Sequence, residues 1–104
     1  MSVALPDQET KQSINLAKQW HVILLNDDDH SFEYVIVLLM KIFRYNADEA
    51  YAITVKIDKE GQAIVDTTSK ERAELKQEQV HSMGPDFSMP RSAGPISCVI
   101  EPAP

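Results

Sequence analysis

The sequence predicts an α+β domain: a two-layer sandwich in which three helices pack on one face of a small three-stranded antiparallel sheet, in the order β-α-α-β-α-β. Three observations predict it. Short apolar runs rich in β-formers occur at residues 20–25, 63–67 and 96–101. The intervening segments carry apolar residues at three- and four-residue spacing, or open on helix-capping residues. The chain has 104 residues, enough for one core, since domains mostly run to about 100–150 residues.

The elements follow in order. Trp20 to Leu25, WHVILL, reads as the first strand, and Asn26-Asp27-Asp28-Asp29 stops it because Asn and Asp prefer turns and caps to strand interiors. Phe32, Val35, Ile36, Leu39, Ile42 and Phe43 then form one stripe of a helix over 32–44, started by Ser31 or by His30 beside it. Asn46 with Glu49 three residues later makes a capping box for a second helix over 47–58, and Gly61 ends the helical pattern. Ala63 to Thr67 reads as the second strand. Thr68 and Glu71 are expected to form another capping box, opening a third helix through Ser82 with Ala73, Val80 and the stem of Lys76 turned inward. Gly84, Pro85, Pro90, Gly94 and Pro95 punctuate a long loop. Ile96 to Glu101 closes the sheet, with Ile96, Cys98 and Ile100 on one face. Residues 1–19 are polar and mixed in charge, and are expected to be a flexible extension to a domain spanning 20–104.

Composition narrows the function. Sixteen acidic and ten basic side chains leave a net charge of −6, a field that repels phosphate backbones and anionic lipid headgroups. Nucleic acid and membrane are therefore not expected as partners, and a cationic ligand is favoured. The single cysteine, Cys98, cannot close a disulfide within the chain. Residues 1–12 carry neither a basic start nor an apolar run, so a cytoplasmic location is expected. The longest apolar-rich stretch, Tyr34 to Leu39, falls far short of the roughly 20 residues that cross a bilayer. A monomer without cofactor is expected.

The densest polar feature is Asn26-Asp27-Asp28-Asp29-His30, between a strand and a helix start. One reading is a solvated turn whose carboxylates cap the helix and complement its dipole. A sharper one is a ligand site, because carboxylates and an amide held at a strand end can accept several hydrogen bonds from one ammonium group. A metal-dependent hydrolase built on Asp27, Asp28 and His30 is a third reading. The spacing matches no EF-hand loop, however, and no H-E-x-x-H or Cys/His pair supports zinc. His21 and His81 fall in other elements, and no nucleophile elbow or phosphate-binding glycine loop is present, so an enzyme is not expected.

The run Trp20 to Asp28, followed by Phe32-Glu33-Tyr34-Val35-Ile36 and Leu39, resembles the ClpS family signature: an apolar strand leading into N-D-D and then a helix with an E-[FY]-V-I core. Glu49-Ala50, Glu60-Gly61-Gln62-Ala63, Glu71 to Lys76 and Pro95 to Glu101 fall at the family's later spacings. The resemblance implies an adaptor that binds bulky amino-terminal Phe, Tyr, Trp or Leu residues (N-degrons) and docks on the amino-terminal domain of a Clp AAA+ unfoldase, ClpA or ClpC. Carried over by position, it assigns the ligand's α-amine to Asn26, Asp27 and Asp58, with Phe32, Val35, Thr54, Ile57 and Ile96 lining a side-chain pocket. It places His30 at the pocket rim, and Glu71 and Lys76 on the unfoldase-docking surface. Asp58 stands where the family normally has a histidine, and Phe32 and Thr54 where it often has methionines. The substitution at 58 motivates an alternative, a docking module that modulates the unfoldase without taking N-degrons.

Overall fold

A computed structural model of the chain describes residues 18–104. Apart from Lys18 and Gln19, the expected extension over 1–19 lies outside the described residues. Strand β1 (Trp20–Leu25) is central, pairing antiparallel with β2 (Gln62–Thr68) on one side and β3 (Cys98–Pro102) on the other. Alternation along β1 sends Val22 and Leu24 into the core. Ile23 faces the other way, between Ile64 and Val99, both exposed, so this second face of the sheet is partly wet. The β1–β2 register jumps from Val22↔Asp66 to Ile23↔Ile64, leaving Val65 as the extra residue of a bulge.

Helices α1 (Phe32–Phe43), α2 (Ala47–Glu60) and α3 (Lys70–His81) close the inner face. Ser31 caps α1 through its hydroxyl, which accepts from the Tyr34 amide, and Asn46 and Glu49 form the reciprocal capping box of α2. Gly61 ends α2 at φ 89°, a left-handed conformation that favours glycine. The third cap differs from the expected one. Thr68 is the last residue of β2, held extended opposite Trp20, so the helix start moves on by one residue and the Ser69 hydroxyl accepts from the Arg72 amide.

The core cluster draws Val35, Leu38, Leu39 and Ile42 from α1, Ala50 and Ile57 from α2, Ala73 and Val80 from α3, and Val65, Ile96 and Cys98 from the sheet side. Leu38 is fully buried although the expected stripe omitted it, while Phe32, which the stripe included, is exposed. Burying each such leucine is worth roughly 1.5–3 kcal/mol. Lys76 fastens α3 to the end of α1. Its ammonium donates to the Ile42 carbonyl at 2.8 Å and lies 5.9 Å from the centre of the Phe43 ring, satisfying an acceptor that the helix end leaves open. Both outer strands have a carbonyl closed by a side chain: Tyr45 Oη donates to Val65 and Gln77 Nε2 to Cys98. Among the described residues no helix is long and apolar enough to cross a membrane.

Candidate functional site

Where β1 ends, the Asn26 amide donates to the Gly61 carbonyl at 2.8 Å, tying the strand end to the end of α2. Asp58 lies in the last turn of α2, three residues before Gly61. The fold therefore ties Asn26 to the end of the helix whose last turn carries Asp58, across a sequence gap that periodicity cannot bridge. Asn26 and Asp58 are exposed and Asp27 is half-buried. Neither the Asn26 amide group nor the Asp58 carboxylate makes a side-chain hydrogen bond or ion pair with any described residue, so both keep their hydrogen-bonding capacity towards solvent.

Asp27 is held differently. Its Oδ1 accepts from the Asp29 amide at 2.9 Å and lies 2.7 Å from His30 Nδ1, with Oδ2 at 3.0 Å from the same nitrogen. The His30 side chain is 5% exposed, and its Nε2 lies 2.8 Å from the Gly94 carbonyl and 3.3 Å from Ser92 Oγ. The ring packs at 4.7 Å from that of Tyr34, whose hydroxyl donates to the Gly84 carbonyl. His30 thus lies beneath the acidic turn. Burial pushes the Tyr34 phenol above its ordinary pKa, and the nearby charges of Asp86 and Asp27 add to the rise.

The loop after α3 is fixed by Asp86, which is 6% exposed. One oxygen accepts from the Ser31 amide and hydroxyl at 2.7 and 2.8 Å, the other from the Ser88 amide and hydroxyl at 3.0 and 2.6 Å. Burial by itself raises a carboxyl pKa, but these four donors overrule it and hold Asp86 well below the usual carboxylate range. A carboxylate from the loop therefore braces the start of α1. The only sequence signal was the Asp-x-Ser spacing of a local side-chain turn.

The expected pocket wall is packed into the interior. Val35, Thr54, Ile57 and Ile96 are 2–5% exposed, and the Thr54 hydroxyl donates back to the Ala50 carbonyl at 2.7 Å. Phe32 is the exception at 41% exposed, set edge-on to the exposed Tyr51 ring at 6.4 Å. Tyr51 was not among the expected site residues, because its partner lies on another helix. Surface depressions of about 510 Å³ against α3 and about 370 Å³ between α1 and the 83–88 loop are lined by other side chains. Among the described residues no three His, Cys, Asp or Glu side chains converge to hold a metal ion, and Asp27 and His30 bond to each other.

Residues 15–91 match the model of the family described as ATP-dependent Clp protease adaptor protein ClpS. The chain belongs to the ClpS family. An ATP-dependent Clp protease adapter protein ClpS from Nautilia profundicola is 38% identical over 94 residues, covering 89% of this chain and 91% of that protein. One from Helicobacter hepaticus is 37% identical over 73 residues, covering 70% and 74%. The solved structure of Agrobacterium tumefaciens ClpS2 bound to L-phenylalaninamide superposes with a TM-score of 0.72 at 28% identity, covering 83% of this chain and 98% of that one. The three-helix, three-strand order is thus the ClpS architecture.

As a ClpS-family member the chain is an adaptor of the Clp protease system. The two residues expected on the docking surface stand in unlike settings. Glu71 is exposed on α3 beside Glu74, Leu75 and Glu78, at one of the open depressions. Lys76, on the same helix, is half-buried and engaged with Ile42 and Phe43.

Proposed function

We propose that this ClpS-family chain recognises proteins whose amino-terminal residue is bulky and hydrophobic, Phe, Tyr, Trp or Leu, and delivers them to a Clp AAA+ unfoldase, ClpA or ClpC, working with its protease. Asn26, Asp27 and Asp58 take the α-ammonium group, and Phe32, Val35, Thr54, Ile57 and Ile96 receive the side chain. The observation that carries this reading is the hydrogen bond that joins Asn26 to the end of α2, the helix whose last turn carries the exposed Asp58. Support comes also from the Agrobacterium relative, whose ligand, L-phenylalaninamide, unites a free α-amine with an aromatic side chain. A carboxylate at 58 accepts hydrogen bonds and carries a full charge, so it serves an ammonium group at least as well as a neutral histidine.

The ligand side chain enters by displacing Phe32 and Tyr51, which are exposed and can rotate without disturbing the core. Burying one aromatic ring contributes roughly 1.5–3 kcal/mol and each charge-assisted bond a similar amount, together about the 8 kcal/mol of micromolar binding. Fluorescence anisotropy with a Phe-initiated peptide and its acetylated twin tests the reading. Acetylation is expected to weaken binding about a hundredfold, because it removes the charge and leaves the acceptors unpaired. Equal affinity for the two peptides would refute amine recognition. Asp58→Ala is expected to weaken binding of the free-amine peptide about tenfold and leave the acetylated one unchanged.

The close packing of Val35, Thr54, Ile57 and Ile96 favours a second reading, a domain that docks on the unfoldase and modulates it without taking N-degrons. The same peptide pair separates the two: the docking module binds neither.

A further inference from the structure

We propose that His30 is a positioning residue for the amine site: its buried imidazole fixes the orientation of the Asp27 carboxylate and ties it to the segment that leads into the pocket wall. The inference rests on the assignment of Asp27 to the ligand amine made above. An exposed carboxylate at a turn samples several rotamers, and an ammonium ligand that selects one of them must offset the lost freedom. Asp27 is already held. His30 Nδ1 lies within 3.0 Å of both its oxygens, and the Asp29 amide donates to one of them.

The other end of the ring is anchored just as firmly. Nε2 lies 2.8 Å from the Gly94 carbonyl, two residues before Ile96, and Ser92 Oγ stands 3.3 Å away. Ser92 in turn accepts from the Asp86 amide, and Asp86 binds Ser31 next to His30, so the polar chain closes on itself. The Tyr34 ring packs against the imidazole from α1. A 5% exposed ring with an acceptor oxygen close to each nitrogen is held in one orientation, and it passes that orientation to Asp27. The amine-binding lip and the stretch before Ile96 are therefore set by one side chain.

The test separates positioning from general support. Asparagine places its amide nitrogen near the Nδ1 position and keeps the Asp27 bond, whereas glutamine reaches the Nε2 position and keeps only the Gly94 bond. Affinities are measured for a Phe-initiated peptide, its acetylated twin and an Ala-initiated peptide, with thermal melts of each variant. His30→Gln is expected to lower the free-to-acetylated affinity ratio about tenfold while leaving the Phe-to-Ala ratio unchanged. His30→Asn is expected to retain the first ratio within about threefold. An unchanged ratio in His30→Gln, an equal loss in both variants, or a parallel fall of both ratios with the melting temperature would overturn the proposal. Wild-type protein supplies an independent reading by NMR. The His30 Nδ1 proton signal is expected to shift with L-phenylalaninamide and to stay fixed with N-acetyl-L-phenylalaninamide, and a signal that ignores the free amine overturns the proposal as well. If wild-type protein itself shows no preference for the free amine, the amine-site assignment fails first, and the inference with it.

Discussion

Asp86 and Asp58 are two carboxylates at helix ends with opposite fates. Asp86 faces the start of α1, where the helix dipole favours negative charge, and is 6% exposed with four donors around its oxygens. Asp58 sits in the last turn of α2, where the dipole disfavours it, exposed and without a partner among the described residues. The first arrangement stabilises the fold. The second costs a little stability and leaves a charged acceptor facing outward, which is what a ligand site requires and a structural site avoids.

Breaking the Asp86 side of this comparison gives the largest expected effect. Asp86→Ala strips the Ser31 and Ser88 donors of their acceptor and should destabilise the domain by about 3 kcal/mol, measured by urea unfolding at neutral pH. The pH dependence has a definite sign. Because the folded-state pKa lies below the ordinary value, the contribution of Asp86 is fully present above about pH 4 and is lost as pH falls toward the folded-state value. The advantage of wild type over Asp86→Asn should therefore narrow below about pH 4, and an advantage that grows there would contradict the assignment.

A smaller effect is expected at Lys76. Lys76→Met keeps the stem but removes the bond to Ile42 and the charge over Phe43, costing about 1 kcal/mol in thermal or urea melts. A loss of unfoldase binding in this variant has to be read against that change, whereas Glu71→Ala touches an exposed side chain and should leave the melt unaltered. Cys98 sharpens the contrast between interior and edge: burial pushes its thiol up to about 12, so folded protein should resist alkylation at pH 8 and react only once unfolded. The smallest stability effect belongs to Asp58→Asn. It should change the unfolding free energy by no more than about 0.5 kcal/mol, in the stabilising direction, because it removes a negative charge from the negative end of the helix dipole. A large loss would make Asp58 a structural residue.

The sequence by itself determined the order of elements, because strand alternation, the Ser31 and Asn46 caps and the Gly61 stop act within a few residues. It also marked the acidic turn at 26–30, while Asp58 was named only through the resemblance to the ClpS family, by position. What it missed was set by distant neighbours. The third cap moved to Ser69 because β2 pairing with β1 extends through Thr68. Leu38 went inward and Phe32 outward because the direction of burial on α1 depends on α2 and α3 packing around it. Only the tertiary structure turned His30 into a buried strut, brought Asp86 across 55 residues to Ser31 and spent Lys76 on the end of α1. Backbone propensities are short-range and are written locally, while the partners of a side chain depend on which surfaces meet when the chain closes on its core.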